Sequence, residues 1–139
     1  MTKTYTTFDH TADLGIEVYG GDQRELFINA GRALFDLITD LDKIEVKTSL
    51  SFTVEAVDRE DLMVNWLGEL LYFHQSEGYL LGDFVLHELG ERSLSATVQG
   101  EVYDAHRHEL TREIKAVTYH QLKVTQEKAR WIARIVFDI

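Results

Sequence analysis

Five consecutive residues, Asp9-His10-Thr11-Ala12-Asp13, carry two carboxylates, an imidazole and a hydroxyl. An oxygen-rich cluster of this kind suits a hard cation such as Ca²⁺ or Mg²⁺, which takes several carboxylate or carbonyl ligands. The same residues fit a polar strand entry whose Asp and Thr side chains bond local backbone amides, and their spacing alone leaves both readings open. A second acidic group stands at the far end, where Asp138 precedes Ile139 and its α-carboxylate. Strand alternation puts Asp138 on the side of Ile132, Arg134 and Val136, away from Phe137 and Ile139. Apolar patterning runs to Ile139, so this end is predicted to be pinned in a sheet rather than frayed. A pinned carboxylate is costly without a cation or donors nearby.

The remaining candidates are weaker. His120 falls among Ala116, Thr118, Leu122 and Val124 on a predicted inward strand face, where a lone histidine reads as a satisfied core residue. His106 and His108 could share one side of a strand and bind zinc, but no third histidine or thiolate stands at a defined spacing. His108-Glu109 opens an H-E-x-x-H match that fails at Arg112. No P-loop, EF-hand loop or G-x-S-x-G elbow occurs, and Asp22 at the cap after Gly20-Gly21 would repel a phosphate.

These residues need a frame. Leu14, Ile16 and Val18 alternate as a half-buried strand ending at Gly20-Gly21. Asp22 and Glu25 form a capping pair, and Leu26, Ala30, Ala33, Leu34, Leu37 and Ile38 predict a helix from about Gln23 to Asp40. Leu50, Phe52, Val54 and Ala56 predict a second strand. Asp58 and Asp61 then open a helix burying Leu62, Met63, Trp66, Leu67, Leu70, Leu71 and Phe73, which Gly78 stops. Beyond it the chain reads as strands: an irregular one over Tyr79 to Leu89; one with Leu94, Ala96, Val98, Gly100 and Val102 on a face; one with Ile114, Ala116, Thr118, His120, Leu122 and Val124; and one with Trp131, Ala133, Ile135, Phe137 and Ile139. The polar run from Asp104 to Glu113 has no clear pattern. The expected architecture is α+β, two helices on a largely antiparallel or mixed sheet in a two-layer sandwich, as a single domain over residues 1–139. A doubly wound nucleotide-binding fold is excluded by the loss of βαβ alternation after residue 78.

The 139 residues suit one core. No apolar run reaches the roughly 18 to 20 residues of a membrane span, and the N-terminus has no apolar signal core, so a soluble, cytoplasmic protein without membrane contact is expected. The absence of cysteine excludes disulfides, thiolate metal sites and cysteine nucleophiles. Fourteen Lys+Arg against 24 Asp+Glu give a net charge of -10, which repels a phosphate backbone; direct nucleic-acid binding is not expected, and any RNA would be held by a partner.

Taken together, Phe8-Asp9-His10-Thr11-Ala12-Asp13-Leu14-Gly15, Leu34-Phe35-Asp36, Val64-Asn65-Trp66-Leu67-Gly68-Glu69-Leu70-Leu71, Glu113-Ile114-Lys115-Ala116-Val117-Thr118-Tyr119-His120 and Val136-Phe137-Asp138-Ile139 resemble the archease family, in order and over essentially the whole chain. The resemblance implies an accessory protein rather than an enzyme. Archeases activate the GTP-dependent tRNA-splicing RNA ligase, promoting guanylylation of its active-site histidine and repeated turnover, and broaden its nucleotide use. It also implies a divalent-metal site, generally calcium, formed by the second aspartate of D-H-T-A-D, the aspartate beside the chain end and the terminal residue. Those positions are Asp13, Asp138 and Ile139 here, the last requiring that the chain end there. A fold that sets the first strand beside the last would join them. The alternatives are a metal-dependent phosphoester hydrolase with His10 or His120 as general base, and a chaperone or scaffold with a structural cation.

Overall fold

The computed structural model describes residues 4–10 and 13–139, with the backbone alone at His10. The elements follow in order as β1 (Tyr5–His10), β2 (Asp13–Gly20), α1 (Gln23–Ile38), a 3-10 turn (Leu41–Lys43), β3 (Thr48–Glu55), α2 (Arg59–Glu77), β4 (Tyr79–Leu89), β5 (Ser93–Val102), β6 (Ala116–Val117), β7 (Lys123–Glu127) and β8 (Arg130–Asp138). The α+β expectation holds, with the strands divided between two sheets. One runs β1-β2-β8-β6, with β7 also on β8, and the other runs β3-β5-β4; every pairing is antiparallel. Helix α1 packs on β2 of the first sheet and β4 of the second, so the helices bridge what would otherwise be two separate layers. No helix among the described residues is long and apolar enough to cross a membrane.

Both helices begin as their sequences dictate. The Asp22 carboxylate accepts the Glu25 N–H at 2.8 Å, and that of Asp58 accepts the Asp61 N–H at 2.8 Å. Trp66 is fully buried, and its indole N–H donates to the Phe27 carbonyl at 2.8 Å, which locks α2 to α1. Gly78 ends α2 in the left-handed conformation at φ 76°. Helix α1 stops at Ile38, two residues before the predicted end at Asp40. Thr39 turns extended and Asp40 instead caps the 3-10 turn through the Asp42 N–H. The released Ile38 carbonyl accepts the Thr111 N–H at 2.8 Å.

Three strand expectations change. Residues 5–10 form β1, which has no apolar alternation and is held as an edge strand by its ladder to β2. In β5 the inward face runs from Leu94 to Gly100, but Val102 is 56% exposed and Glu101 is buried at 3%. Bulges in β4 accompany that pairing, and the backbones close in so far that a Cβ on Gly100 would lie 1.9 Å from the Leu80 carbonyl oxygen. The long strand predicted over 114–124 is broken into β6 and β7. From Val117↔Phe137 to Lys123↔Arg134 the chain advances six residues against three on β8, and the surplus forms a turn with Gln121 at φ 52°. An odd surplus reverses the alternation, so Val124 shares the core face with Val117 rather than with Ala116, which stands opposite Asp138, and His120 is exposed on the turn rather than on an inward face.

Candidate metal centre and its surroundings

Asp13 opens β2 and stands directly opposite Asp138, the last residue of β8. Directly opposed residues of an antiparallel pair project on the same face with Cβ atoms about 5 Å apart. Leu14, Ile16 and Val18 of β2, with Ala133, Ile135 and Phe137 of β8, fill the core and so direct the two aspartates to the outer face. The sequence-level expectation that first and last patterned strands adjoin is therefore met. Asp13 is half-buried and Asp138 exposed.

The surroundings make this end of the sheet rigid. The Lys115 N–H donates to the Asp138 carbonyl at 2.8 Å, while Thr118 gives both its N–H (3.1 Å) and its hydroxyl (2.8 Å) to the Val136 carbonyl. Strand β8 is thus tied on both edges up to its last residue. Two positions along β2, the Phe8 ring lies over Gly15, where a Cβ would come within 2.1 Å of the ring. The Arg134 guanidinium sits 3.7 Å from the Phe8 centroid and pairs with Glu17 at 2.9 Å. Phe8 and Arg134 form a cation–π contact that clamps β1, β2 and β8 on this face.

Ile139 follows β8 as a residue 40% exposed, so its side chain does not continue the inward face of Phe137 as predicted. Thr11 and Ala12 of the Asp9-to-Asp13 segment, and the His10 side chain, lie outside the described residues. Among the described residues no group of three or more His, Asp or Glu side chains converges as a metal cage.

The predicted His106/His108 strand face is absent, because residues 105–107 form a turn. His106 is exposed, whereas His108 is buried, accepts the Asp104 N–H on Nδ1 at 2.9 Å and meets Glu101 through Nε2 at 3.0 Å. Glu101 also accepts the Glu45 N–H at 2.6 Å and pairs with Arg107 and, at 3.5 Å, with Lys47. Burial alone would raise the Glu101 pKa; the Glu45 amide, His108 and Arg107 outweigh it and hold the carboxyl down to about 2. Sequence reasoning missed this cluster; a charged residue beside Gly100 inside an alternating strand was the available signal. Its donors are all committed internally, which marks it as a pin for the 104–109 turn.

Comparison with known proteins covers nearly the whole chain. Residues 5–139 match the model of the archease protein family (MTH1598/TM1083). Proteins named archease from Methanopyrus kandleri and Pyrococcus furiosus are 39% identical over 134 residues and 40% identical over 141 residues, covering 94% and 99% of this chain and 96% and 99% of theirs. The solution structure of protein 1598 from Methanobacterium thermoautotrophicum superposes with a TM-score of 0.83 at 33% identity, covering 99% of this chain and all of that one. An archease from Thermotoga maritima, described as a possible chaperone, shares the fold with a TM-score of 0.64 at 24% identity. Matched by the family model over residues 5–139 and by relatives of about 40% identity over nearly its whole length, this chain belongs to the archease family.

Proposed function

We propose that this protein is a non-enzymatic activator of a GTP-dependent tRNA-splicing RNA ligase, acting through a divalent cation held by Asp13, Asp138 and Ile139. The observation that carries the reading is the direct opposition of Asp13 and Asp138 on the outer face of the sheet. Two carboxylates at opposed positions repel each other, and a cation between them turns that repulsion into attraction. The donors are all oxygens, which favours Ca²⁺ over a nitrogen- or sulfur-seeking metal. When bound, the cation supplies Lewis-acid attraction for phosphate oxygens. The chain's own residues hold the two carboxylates at a fixed spacing, through the β2–β8 ladder, the Lys115 amide and the Phe8–Arg134 clamp. Family membership supports the association with the ligase, and the net charge of -10 would steer this protein towards a basic, RNA-gripping surface.

The test is ligase guanylylation and multiple-turnover joining with the wild type, Asp13→Ala and Asp138→Ala, each checked for folding. Stimulation by the wild type, lost in both folded variants, is expected. Full stimulation by either variant would refute the reading.

A further inference from the structure

A groove of about 610 Å³ lies between the two sheets, floored by the outer side of α2. One wall is residues 53–55 of β3 and the other is residues 115–117, which include β6. Both walls are sheet edges, since among the described residues β3 pairs only with β5 and β6 only with β8. The Ala56 N–H bonds the Arg92 carbonyl at 2.8 Å, and peptide direction alternates along an antiparallel strand. Val54 therefore turns its peptide groups to β5, while Thr53 and Glu55 turn theirs to the open edge. Asn65 takes the Glu55 carbonyl at 2.9 Å, and Thr53 remains on the edge that lines the groove.

The floor carries an independent clue. Gly68 lies in the interior of α2, where glycine costs about 1 kcal/mol relative to alanine. A Cβ there would meet nothing within 4 Å, so packing within the chain does not require the glycine. The bare helix surface at Gly68 leaves room for a backbone laid against it from outside. Tyr72, 54% exposed, borders the floor, as expected of an interface anchor. Glu55 and Glu69 face the groove against Lys115, on a chain of net charge -10. Ala116 of the β6 wall is opposite Asp138, which makes the groove continuous with the acidic end of the sheet.

We propose that this groove docks an extended, lysine- or arginine-bearing segment of the partner protein, added as a strand to the β3 edge, with its backbone over Gly68 and its cations against Glu55 and Glu69. Main-chain pairing at an exposed edge supplies affinity, and Glu55 on one wall with Glu69 on the floor supplies selectivity. The inference rests on the accessory role proposed above and adds the surface by which the partner is held apart from the metal-bearing end.

Gly68→Leu fills the groove with a helix-favouring side chain, Glu55→Lys/Glu69→Lys reverses its charge, and Gly68→Ala serves as control. Binding to the cognate RNA ligase is measured by calorimetry, with circular dichroism and Tm on each variant and ligase turnover titrated to saturation. Both groove variants are expected to raise Kd by roughly tenfold or more, with stimulation recovered at high concentration, while Gly68→Ala binds as the wild type does. If Gly68→Leu fails to fold, the charge reversal, with one position on a wall and one on the floor of the groove, decides alone. An unchanged Kd in the folded variants overturns the groove and leaves the accessory role standing. Sedimentation showing a wild-type dimer that these substitutions dissociate would assign the groove to a second copy and likewise overturn the proposal. A wild type that neither binds nor stimulates the ligase overturns both readings.

Discussion

Asp13 and Glu101 show two opposite ways of managing a carboxylate. Asp13 stands opposite Asp138 across the ladder and, in the function proposed here, shares a cation with it, whereas Glu101 is surrounded by donors and closed off. Calcium should therefore raise the Tm of the wild type, and Asp13→Asn or Asp138→Asn should remove most of that rise; equal Ca²⁺-dependent shifts in all three proteins would exclude these ligands. For Glu101 the folded pKa, about 2, lies below the ordinary value of 4.5. The stability it contributes is therefore present above pH 4.5 and lost as pH falls from 4.5 towards 2. Glu101→Gln should cost about 2 kcal/mol at pH 7, as expected for hydrogen bonds to a buried charged group, and flatten the acid limb of a denaturation series. A Glu101→Gln protein with the wild-type slope between pH 4.5 and 2 would show that another group dominates that limb.

Strand β1 is an edge strand whose ladder runs to β2 alone among the described residues. Residues 5–9 are half-buried or exposed, and besides its ladder to β2 the strand is held by the Tyr5 hydroxyl on Asp36 at 2.5 Å, by Thr6 against the Tyr19 hydroxyl at 3.1 Å, and by Phe8, which lies over Gly15 and against Arg134. Gly15→Ala pushes a methyl group into the Phe8 ring and should loosen this strand without melting the core. Amide exchange of residues 6–9 should accelerate while that of β8 holds, and Ca²⁺ affinity should fall because Asp13 is two residues away. Equal protection of residues 6–9 in both proteins would show that the ladder alone suffices. Helix α2 depends on Gly78 in a different way. At φ 76° a Cβ meets only the Val102 side chain at 3.9 Å, so Gly78→Ala should cost about 1 kcal/mol of backbone strain with little repacking, readable as a shift in urea midpoint at constant m.

Across the protein the excess of ten negative charges should act on association more than on residence. Raising ionic strength from about 0.05 M to about 0.5 M should slow ligase association several-fold while leaving dissociation nearly unchanged. Salt-independent association would remove electrostatic steering from the account. The arrangement of two sheets bridged by α1 and α2 also puts the acidic end and the β3–α2–β6 groove side by side, sharing the β6 segment.

Wherever local periodicity and capping chemistry act over a few residues, the amino-acid sequence determined the outcome. It set both helix starts, the Gly78 stop, the alternation of β2, β3 and β8, the α+β class and the candidacy of Asp13 and Asp138. What it left to the tertiary structure are matters of registry and of edges. Strand β1 carries no burial signal because it borders the sheet, so only its ladder reveals it. The break between β6 and β7 arises because β8 offers fewer partners than the chain supplies, which no one-dimensional pattern records, and it moves His120 to the surface. Glu101 enters the interior because Arg107, His108 and the Glu45 amide, all distant from or beyond the end of β5, converge on it. The opposition of Asp13 and Asp138 is likewise a matter of register across 125 positions of sequence, decided when the two apolar faces align on one core.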